Sequence, residues 1–141
     1  MFNNGANADE LSPLTLAFVG DAVYSLFIRE MLVSEANRPV KKLHSLSVKW
    51  VQASSQAECM KKLLPLLTEK EEDVFKRGRN AHTSHIPKNQ SVSDYHYATA
   101  FESLLGYLYL NNEIDRLKFF LSEALNDFDN KEGVEKWVTM D

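Results

Sequence analysis

The sequence predicts a single compact all-α domain of about five to seven helices. The chain has 141 residues, the usual size of one domain, and its 44% hydrophobic and 26% charged residues are typical of a soluble fold with a real core. It contains only 5 Gly and 4 Pro, which leave little of the turn chemistry that a sheet of many strands requires. Apolar residues instead recur at helical spacing along most of the chain.

The first helix follows a polar N-terminal segment. Residues 1–10 are small and polar, so we expect a flexible terminus there. The remaining residues, 11–141, are expected to form one compact domain. Ser12 followed by proline is typical of a helix start, because serine caps the first turn and proline fits its first position. Residues 14–33 are apolar on nearly every side, which indicates a helix buried in a core or in an oligomer interface. Pro39 breaks this helix.

The middle of the chain contains further helical stretches. Apolar residues at helical spacing over residues 40–64 predict one bent helix or two, ended by Pro65. Thr68 and Glu71 then form the sequence pattern of a capping box. This box predicts the start of another helix, which runs toward Gly78.

A long loop separates these helices from the last two. Residues 80–93 lack periodicity, and a loop of 14 residues is long enough to suggest a function. Helical patterning resumes over residues 94–110 and stops at Asn111 and Asn112. An amphipathic helix over residues 114–128 is expected to follow.

Cysteine content and hydropathy indicate a cytoplasmic protein. Cys59 is the single cysteine, which excludes an intramolecular disulfide and any multi-cysteine metal site and fits a reducing compartment. No secretory signal follows Met1, and no apolar run approaches the roughly 18 residues of a membrane span. We therefore expect no membrane partner.

The net charge of −4 conceals a division along the chain. Residues 38–89 carry a net charge of +6, and the remainder of the chain carries −10. A basic middle between acidic flanks suits a protein that binds a polyanion. A solvated pair of lysine-rich helices explains the same charges equally well.

Two acidic residues lie within apolar helical stretches. Asp21 and Glu102 each have mostly apolar neighbours one turn away, and burying an unpaired carboxylate is costly. Local hydrogen bonds or a bound metal ion could compensate. Gly20 and Gly106 lie close to these acids, although a glycine inside a helix costs about 1 kcal/mol relative to alanine. If the two helices pack where the glycines are, the carboxylates converge and share a proton or a hard cation, Mg²⁺ or Mn²⁺.

The densest basic cluster covers residues 76–80. Its cations and glycine are typical of a helix C-terminus, where they complement the helix dipole and cap the last turn. A contact with the phosphates of a nucleic acid is the functional alternative. We interpret Arg77, Arg79, Asn80 and Lys88 as candidate phosphate-binding residues on that basis.

Several short motifs resemble a known family of nucleases. Residues 18–23 (FVGDAV), followed about eighty residues later by residues 100–106 (AFESLLG), resemble the signature helices of the ribonuclease III endonuclease domain. Residues 77–81 (RGRNA), 86–88 (IPK) and 97–102 (YATAFE) are similar to the small branch called Mini-ribonuclease III, which has the catalytic domain and no double-stranded-RNA-binding domain. The resemblance extends over residues 14–110.

The resemblance implies a fold, an activity and a site. The family is an all-helical homodimer that uses magnesium to cut both strands of an RNA duplex, leaving 5′-phosphate and 3′-hydroxyl ends. Its small branch is associated with maturation of precursor large-subunit (23S) ribosomal RNA. By position, Asp21 matches the catalytic, metal-binding aspartate and Glu102 matches the metal-binding glutamate. With RNA as the implied substrate, the four phosphate-binding candidates Arg77, Arg79, Asn80 and Lys88 become candidate RNA-binding residues.

The chain departs from the larger family at three positions. Leu14, Ala17 and Thr99 stand where that family usually has further carboxylates, so the metal ion must keep more waters or take more ligands from the RNA. A non-catalytic RNA-binding or ribosome-associated module with the same fold is the alternative, and a helical protein-interaction domain is a third hypothesis. The presence of both Asp21 and Glu102 favours the nuclease.

Overall fold

The computed structural model describes residues 6–81, Lys88 and residues 91–126. In these residues the chain forms six α-helices and no strand, which confirms the prediction of an all-α fold. The helices are α1 (Pro13–Glu35), α2 (Val40–Val51), α3 (Ala53–Leu63), α4 (Glu69–Arg79), α5 (Val92–Leu110) and α6 (Ile114–Leu125). Short 3-10 helices precede α1 (Ala8–Glu10) and follow α3 (Leu64–Leu66).

Helix α5 forms the centre of the domain. Helices α1, α3 and α4 pack around it, and α6 closes the core against α3 and α5. A helix that is apolar on nearly every side must be covered on every side, and α5 is buried almost continuously from Ala98 to Leu108. Tyr24 of α1 and Phe101 of α5 meet edge to face in this core, with ring centroids 5.2 Å apart.

Most helix boundaries follow local signals. The Ser12 hydroxyl accepts a hydrogen bond from the Thr15 amide at 3.2 Å and caps α1, as its sequence predicts. The predicted capping box is also present: the Thr68 amide donates to Glu71 Oε1 at 2.8 Å, and the Glu71 amide donates to Thr68 Oγ1 at 3.2 Å. At Gln52 the backbone is extended, so residues 40–64 form two helices rather than one bent helix.

Part of the predicted flexible terminus is structured instead. Ala8 is buried, and the Asn7 side chain accepts a hydrogen bond from the Asp9 amide at 3.1 Å. The Asp9 carboxylate lies 2.9 Å from the Lys70 ammonium of α4, and the Tyr107 hydroxyl of α5 donates to it at 3.3 Å. These contacts join residues 8–10 to the domain. Residues 1–5 lie outside the described part of the chain.

The ends of the last two helices differ slightly from the prediction. Helix α5 begins at Val92, two residues early, because the Ser91 side chain caps it and accepts a hydrogen bond from the Asp94 amide. Within the predicted loop over residues 80–93, residues 82–87 and 89–90 are outside the described ranges. So are residues 127–128, where α6 was expected to end. None of the helices described here has the length and apolar character needed to cross a membrane.

A partly buried ion pair joins α4 to α6. The Arg116 guanidinium donates to both oxygens of the Glu71 carboxylate at 2.8 Å, and also to the Leu66 carbonyl at 2.8 Å. Burial by itself would raise the pKa of Glu71, but hydrogen bonds from Arg116 and Thr68 outweigh it and hold that pKa below its usual value. The pair therefore stabilises the fold in the ionised state.

Candidate active site

Helices α1 and α5 touch backbone to backbone at two glycines. A Cβ atom added at Gly20 would lie 1.7 Å from the Glu102 carbonyl oxygen, and one added at Gly106 would lie 1.9 Å from the Leu16 carbonyl oxygen. Neither position leaves room for a side chain. The crossing agrees with the expectation from the sequence that the glycines permit close approach, and it puts Asp21, the residue after Gly20, next to Glu102.

The carboxyl groups of Asp21 and Glu102 meet at this crossing, close enough to form a hydrogen bond with each other. Burial of the Glu102 carboxyl and the neighbouring charge of Asp21 raise the pKa of Glu102 from 4.5 to about 8. A hydrogen bond with the Gln56 side chain acts in the opposite direction. Asp21 is exposed and Glu102 half-buried, so the pair opens to solvent from the α1 side.

The donor set of this pair fits a hard divalent cation. In the described part of the chain, no lysine or arginine forms an ion pair with either carboxylate. Two adjacent carboxylates without a basic partner repel each other unless a proton or a cation lies between them. Oxygen ligands select Mg²⁺ or Mn²⁺ over Zn²⁺, and the residues described here offer no cluster of three or more His, Cys, Asp or Glu side chains.

The positions without the family's carboxylates are accounted for by packing. Ala17 and Thr99 are buried in the contact between α1 and α5, and the Thr99 hydroxyl donates to the Tyr95 carbonyl of its own helix at 2.9 Å. Leu14 is partly exposed on α1. None of these three residues brings a further negative charge to the acidic pair.

Two buried polar side chains, Tyr24 and Gln56, lie near Glu102. The Tyr24 hydroxyl, one turn after Asp21, donates to the Trp50 carbonyl at 3.0 Å. Burial first, and then the neighbouring Cys59, raise the pKa of Tyr24 well above its usual value of 10. Gln56 of α3 is also buried, and its Nε2 atom donates a hydrogen bond to the Val51 carbonyl at 2.9 Å.

Gln56 was missed by the sequence analysis. It lies in a helix whose apolar spacing was interpreted as an ordinary core-facing stripe, and a single glutamine does not interrupt that pattern. Gln56 directly precedes Ala57 and stands one turn before Cys59, and both of these residues are buried. This position is the signal that could have identified Gln56 as a polar group on a buried face.

Two of the predicted RNA-binding residues line an open groove. The groove has a volume of about 540 Å³ and lies where α4 ends and α5 begins. It is lined by Arg79, Asn80, Ser93, His96 and Tyr97. Sequence analysis identified the first two as candidates and missed the three residues from α5, because their spacing matches that of an ordinary helix face.

Contacts within the groove hold Arg79 in place. Its guanidinium lies 5.2 Å from the centre of the Phe75 ring, and its Nε donates to the Asn80 side-chain oxygen at 3.2 Å. His96 precedes Glu102 by six residues on α5, a rise of about 9 Å along the helix axis. The groove and the acidic pair therefore lie about 9 Å apart along the axis of α5.

The other two predicted RNA-binding residues do not line this groove. Arg77 lies one turn after Asp73 on α4, and its Nε is 3.3 Å from the Asp73 carboxylate, which offsets its charge. Lys88 is exposed in a turn, between segments outside the described ranges.

Helix α1 presents an apolar face to solvent as well as to the core. The side chain of Phe18 is 80% exposed and that of Leu26 is 69% exposed, and Leu14 and Val33 are also exposed. We call these four residues the α1 apolar face. On a helix they lie within roughly a third of the circumference, and Asp21 lies at one edge of that arc. The opposite side of α1, with Tyr24 and Ile28, is buried in the core, which is one of the two settings that the sequence suggested. The other setting, an oligomer interface, stays a prediction for the exposed face.

Comparison with known proteins identifies the family. A family model of the Ribonuclease III domain matches residues 14–113. A Mini-ribonuclease 3 of Thermoanaerobacter sp. (strain X514) is 54% identical over 111 residues, which cover 79% of this chain and 78% of that protein. A Mini-ribonuclease 3 of Symbiobacterium thermophilum is 44% identical over 119 residues, covering 84% of this chain and 92% of the relative.

The fold is similar to that of a solved structure as well. A crystal structure of a protein from Fusobacterium nucleatum aligns with 82% of this chain and 95% of that protein, with a TM-score of 0.75 and 28% sequence identity. Sequence motifs, helical architecture and relatives agree. The chain therefore belongs to the ribonuclease III domain family, close to its Mini-ribonuclease 3 members, and is an endoribonuclease.

Proposed function

We propose that this endoribonuclease cleaves double-stranded RNA with the help of a divalent cation, Mg²⁺ or in its place Mn²⁺, held by Asp21 and Glu102. The observation that carries the proposal is the meeting of these two carboxyl groups at the glycine crossing, with no basic partner among the described residues. Side chains about eighty residues apart in sequence thus form an acidic pair that fits a cation. The natural substrate we propose is precursor 23S ribosomal RNA in the cytoplasm.

The chain's own residues supply binding and orientation in this reaction. Asp21 faces solvent, where a phosphate of the substrate would arrive. Glu102 of α5, half-buried and beside Gln56 of α3, forms the inner side of the site. Asp21 and Glu102 would hold the divalent ion, whose chemistry when bound there would be to lower the pKa of a water molecule and to neutralise charge on the phosphoryl oxygens. In this hydrolysis the oxygen of water attacks phosphorus in line with the P–O3′ bond, and that bond breaks. The water oxygen stays on the 5′-phosphate and a proton from water ends on the leaving 3′ oxygen, which becomes the 3′-hydroxyl. No covalent protein nucleophile is needed.

Recognition of the duplex depends on its shape and its phosphates. The deep major groove of duplex RNA is closed to side chains, so contacts are made to phosphates and 2′-hydroxyls. We assign the groove at Arg79 and Asn80 to such contacts. Lys88, and Arg77 once a phosphate replaces the Asp73 carboxylate as its partner, would make further contacts. The alternative role predicted for this cluster is to complement the helix dipole and cap the last turn of α4. That role is compatible with phosphate binding, because the same side chains can do both.

A second copy of the chain completes the enzyme in this proposal. The α1 apolar face leaves Phe18 and Leu26 largely exposed, and an exposed apolar surface of this kind is typical of an association site. Pairing through a two-fold axis would bring this face against itself. Two acidic pairs in one homodimer would then act on the two strands of a duplex.

Cleavage of a long RNA duplex tests the proposal. Asp21→Asn and Glu102→Gln should abolish Mg²⁺-dependent cleavage on a denaturing gel while binding of the duplex in Ca²⁺ or EDTA survives. Glu30→Gln, a matched change at an exposed acid on the same helix as Asp21, should cut like the unsubstituted protein. Robust cleavage by either site variant, or cleavage that persists in EDTA, would contradict the assignment. A protein that binds the duplex and never cuts it would match the non-catalytic alternative.

A further inference from the structure

The groove between the end of α4 and the start of α5 is surrounded by hydrogen-bond donors. Every described side chain that lines it can donate, and no carboxylate is among them: they are Arg79, Asn80, Ser93, His96 and Tyr97. The Lys61 ammonium lies 5.4 Å from the centre of the Tyr97 ring and adds a second positive charge beside that of Arg79. Donors and cations without an acidic group are suited to an anion.

The contact between Arg79 and Asn80 leaves donors available on both side chains. Arg79 Nε donates to Asn80 Oδ1 at 3.2 Å, so the oxygen of this amide already has a donor. The NH₂ group of Asn80 and the Nη1 and Nη2 atoms of Arg79 take no part in that bond. These groups can therefore donate to a ligand in the groove.

His96 reaches the groove with only part of its ring. The Nδ1 atom is buried and forms no hydrogen bond with any residue that the structure describes. The side chain as a whole is half-buried and lines the groove, so the groove is bordered by the rest of the ring, whose far edge carries Nε2. The neighbouring Tyr95 ring packs edge to face against the imidazole, with ring centroids 5.8 Å apart.

The burial of Nδ1 determines which nitrogen of His96 carries the proton. A neutral imidazole has one N–H donor and one acceptor nitrogen. A buried N–H group without an acceptor is rarer in proteins than a buried acceptor without a donor, so we place the proton on Nε2. His96 then presents an uncharged N–H donor to the groove, next to the charged donors of Arg79.

The groove is separate from the site that holds the proposed cation. His96 precedes Glu102 by six residues on α5, which corresponds to about 9 Å along the helix axis and about a third of a turn around it. One phosphate group is too small to contact both places. An anion in the groove is therefore a different group from the phosphate at Asp21 and Glu102.

We propose that His96 donates through Nε2 to a phosphate of the RNA duplex in the groove, beside Arg79 and Asn80. This phosphate is a second one, away from the bond that is cut, and His96 is thus a positioning residue. The inference rests on the proposed function, since it concerns the same duplex. It gives α5 two parts in the enzyme, because Glu102 belongs to the cation site and His96 holds the substrate.

Affinity of the full chain for an RNA duplex in EDTA, measured over a range of salt concentrations, tests the role of His96. His96→Leu removes the donor and should weaken binding about tenfold. The slope of affinity against salt should stay unchanged, because an uncharged donor displaces no counterion. Arg79→Ala, which removes a charge, should flatten that slope by about one.

Two amide variants at the same position serve as matched controls for each other. His96→Gln carries an NH₂ group at about the place of Nε2 and should bind the duplex like the unsubstituted protein. His96→Asn has a shorter side chain, which places its amide near the position of Nδ1. It should lose as much affinity as His96→Leu.

Single uncharged phosphates identify the group that His96 contacts. The cut position is mapped first, and one methylphosphonate is then moved along each strand of the duplex. At one position away from the cut it should weaken binding of the unsubstituted protein about tenfold and weaken binding of His96→Leu no further. If no position does so, or if single 2′-deoxynucleotides produce this pattern instead, the inference is overturned.

Failure of the inference is distinguishable from failure of the proposed function. A chain that does not bind the duplex, or whose Asp21→Asn variant still cuts it, contradicts the proposed function. If the unsubstituted chain binds and cuts the duplex while folded His96→Leu binds it equally well, only the inference is overturned. Should His96→Leu fail to fold, the amide variants decide: tighter binding by His96→Gln than by His96→Asn supports the inference, and equal binding contradicts it.

Discussion

Replacing Gly20 with alanine tests whether backbone contact between α1 and α5 builds the active site. The added Cβ atom would lie 1.7 Å from the Glu102 carbonyl oxygen, whereas atoms in van der Waals contact lie roughly 3.5 Å apart. The two helices would therefore have to separate by about 1.8 Å at this point. Overpacking of this kind costs about 3 kcal/mol, and the better helix propensity of alanine returns about 1 kcal/mol. We expect a net loss of about 2 kcal/mol in the free energy of unfolding.

The same separation moves Asp21 relative to Glu102, so activity should fall more than stability does. Displacing a reacting group by about 1 Å can cost about a hundredfold in rate, and we expect at least that loss in duplex cleavage at a temperature where the variant is folded. Chemical denaturation measures the stability and a gel assay measures the rate. Gly78→Ala is the control, since its Cβ would meet its nearest neighbours at 2.9 Å, a milder overlap away from Asp21. Unchanged stability and full activity in Gly20→Ala would refute the reasoning.

Three further predictions concern assembly, stability and RNA binding. Phe18→Asp should convert a dimer to a folded monomer in light scattering, because this side chain is 80% exposed; a dimer that persists would exclude the α1 apolar face. Glu71→Gln should lower the free energy of unfolding by about 2 kcal/mol, since it leaves the half-buried Arg116 without its ion-pair partner. The stabilisation should be present at neutral pH and lost as the pH falls through the lowered pKa of Glu71, and an unfolding free energy equal to that of the parent would contradict this. Arg79→Ala should weaken duplex binding and flatten its dependence on salt. The control Lys118→Ala, at an exposed lysine of α6, should change neither.

The helices could be predicted from sequence because their signals are local. Ser12, Thr68 and Glu71 act within one turn of their own positions, so the caps in the sequence are the caps in the structure. The break at Gln52 could not be located from the sequence, which left open whether residues 40–64 form one bent helix or two. No glycine or proline marks it, and the break is stabilised by contacts from elsewhere, such as the Tyr24 hydroxyl on the Trp50 carbonyl.

Most contacts between different helices could not be predicted from the sequence. Asn7 and Asp9 look like part of a polar terminus, yet Lys70 and Tyr107 hold this segment on the domain. Gln56 looks like one polar residue in an amphipathic helix, and only the fold aims it at Glu102. A pattern along one helix cannot report which neighbour lies opposite.

The convergence of Asp21 and Glu102 was predictable because main-chain contacts at two glycines determine how α1 and α5 cross. Gly20 precedes Asp21 directly, and Gly106 follows Glu102 by one turn. In the fold Gly20 packs on the Glu102 carbonyl, and Gly106 packs on the Leu16 carbonyl, one turn before Gly20. Each glycine thus fixes the position of the acid on the opposite helix through main-chain contact, which leaves far less freedom than packing between flexible side chains. Two glycine–acid combinations on apolar helices are therefore a more informative pattern than either acid alone.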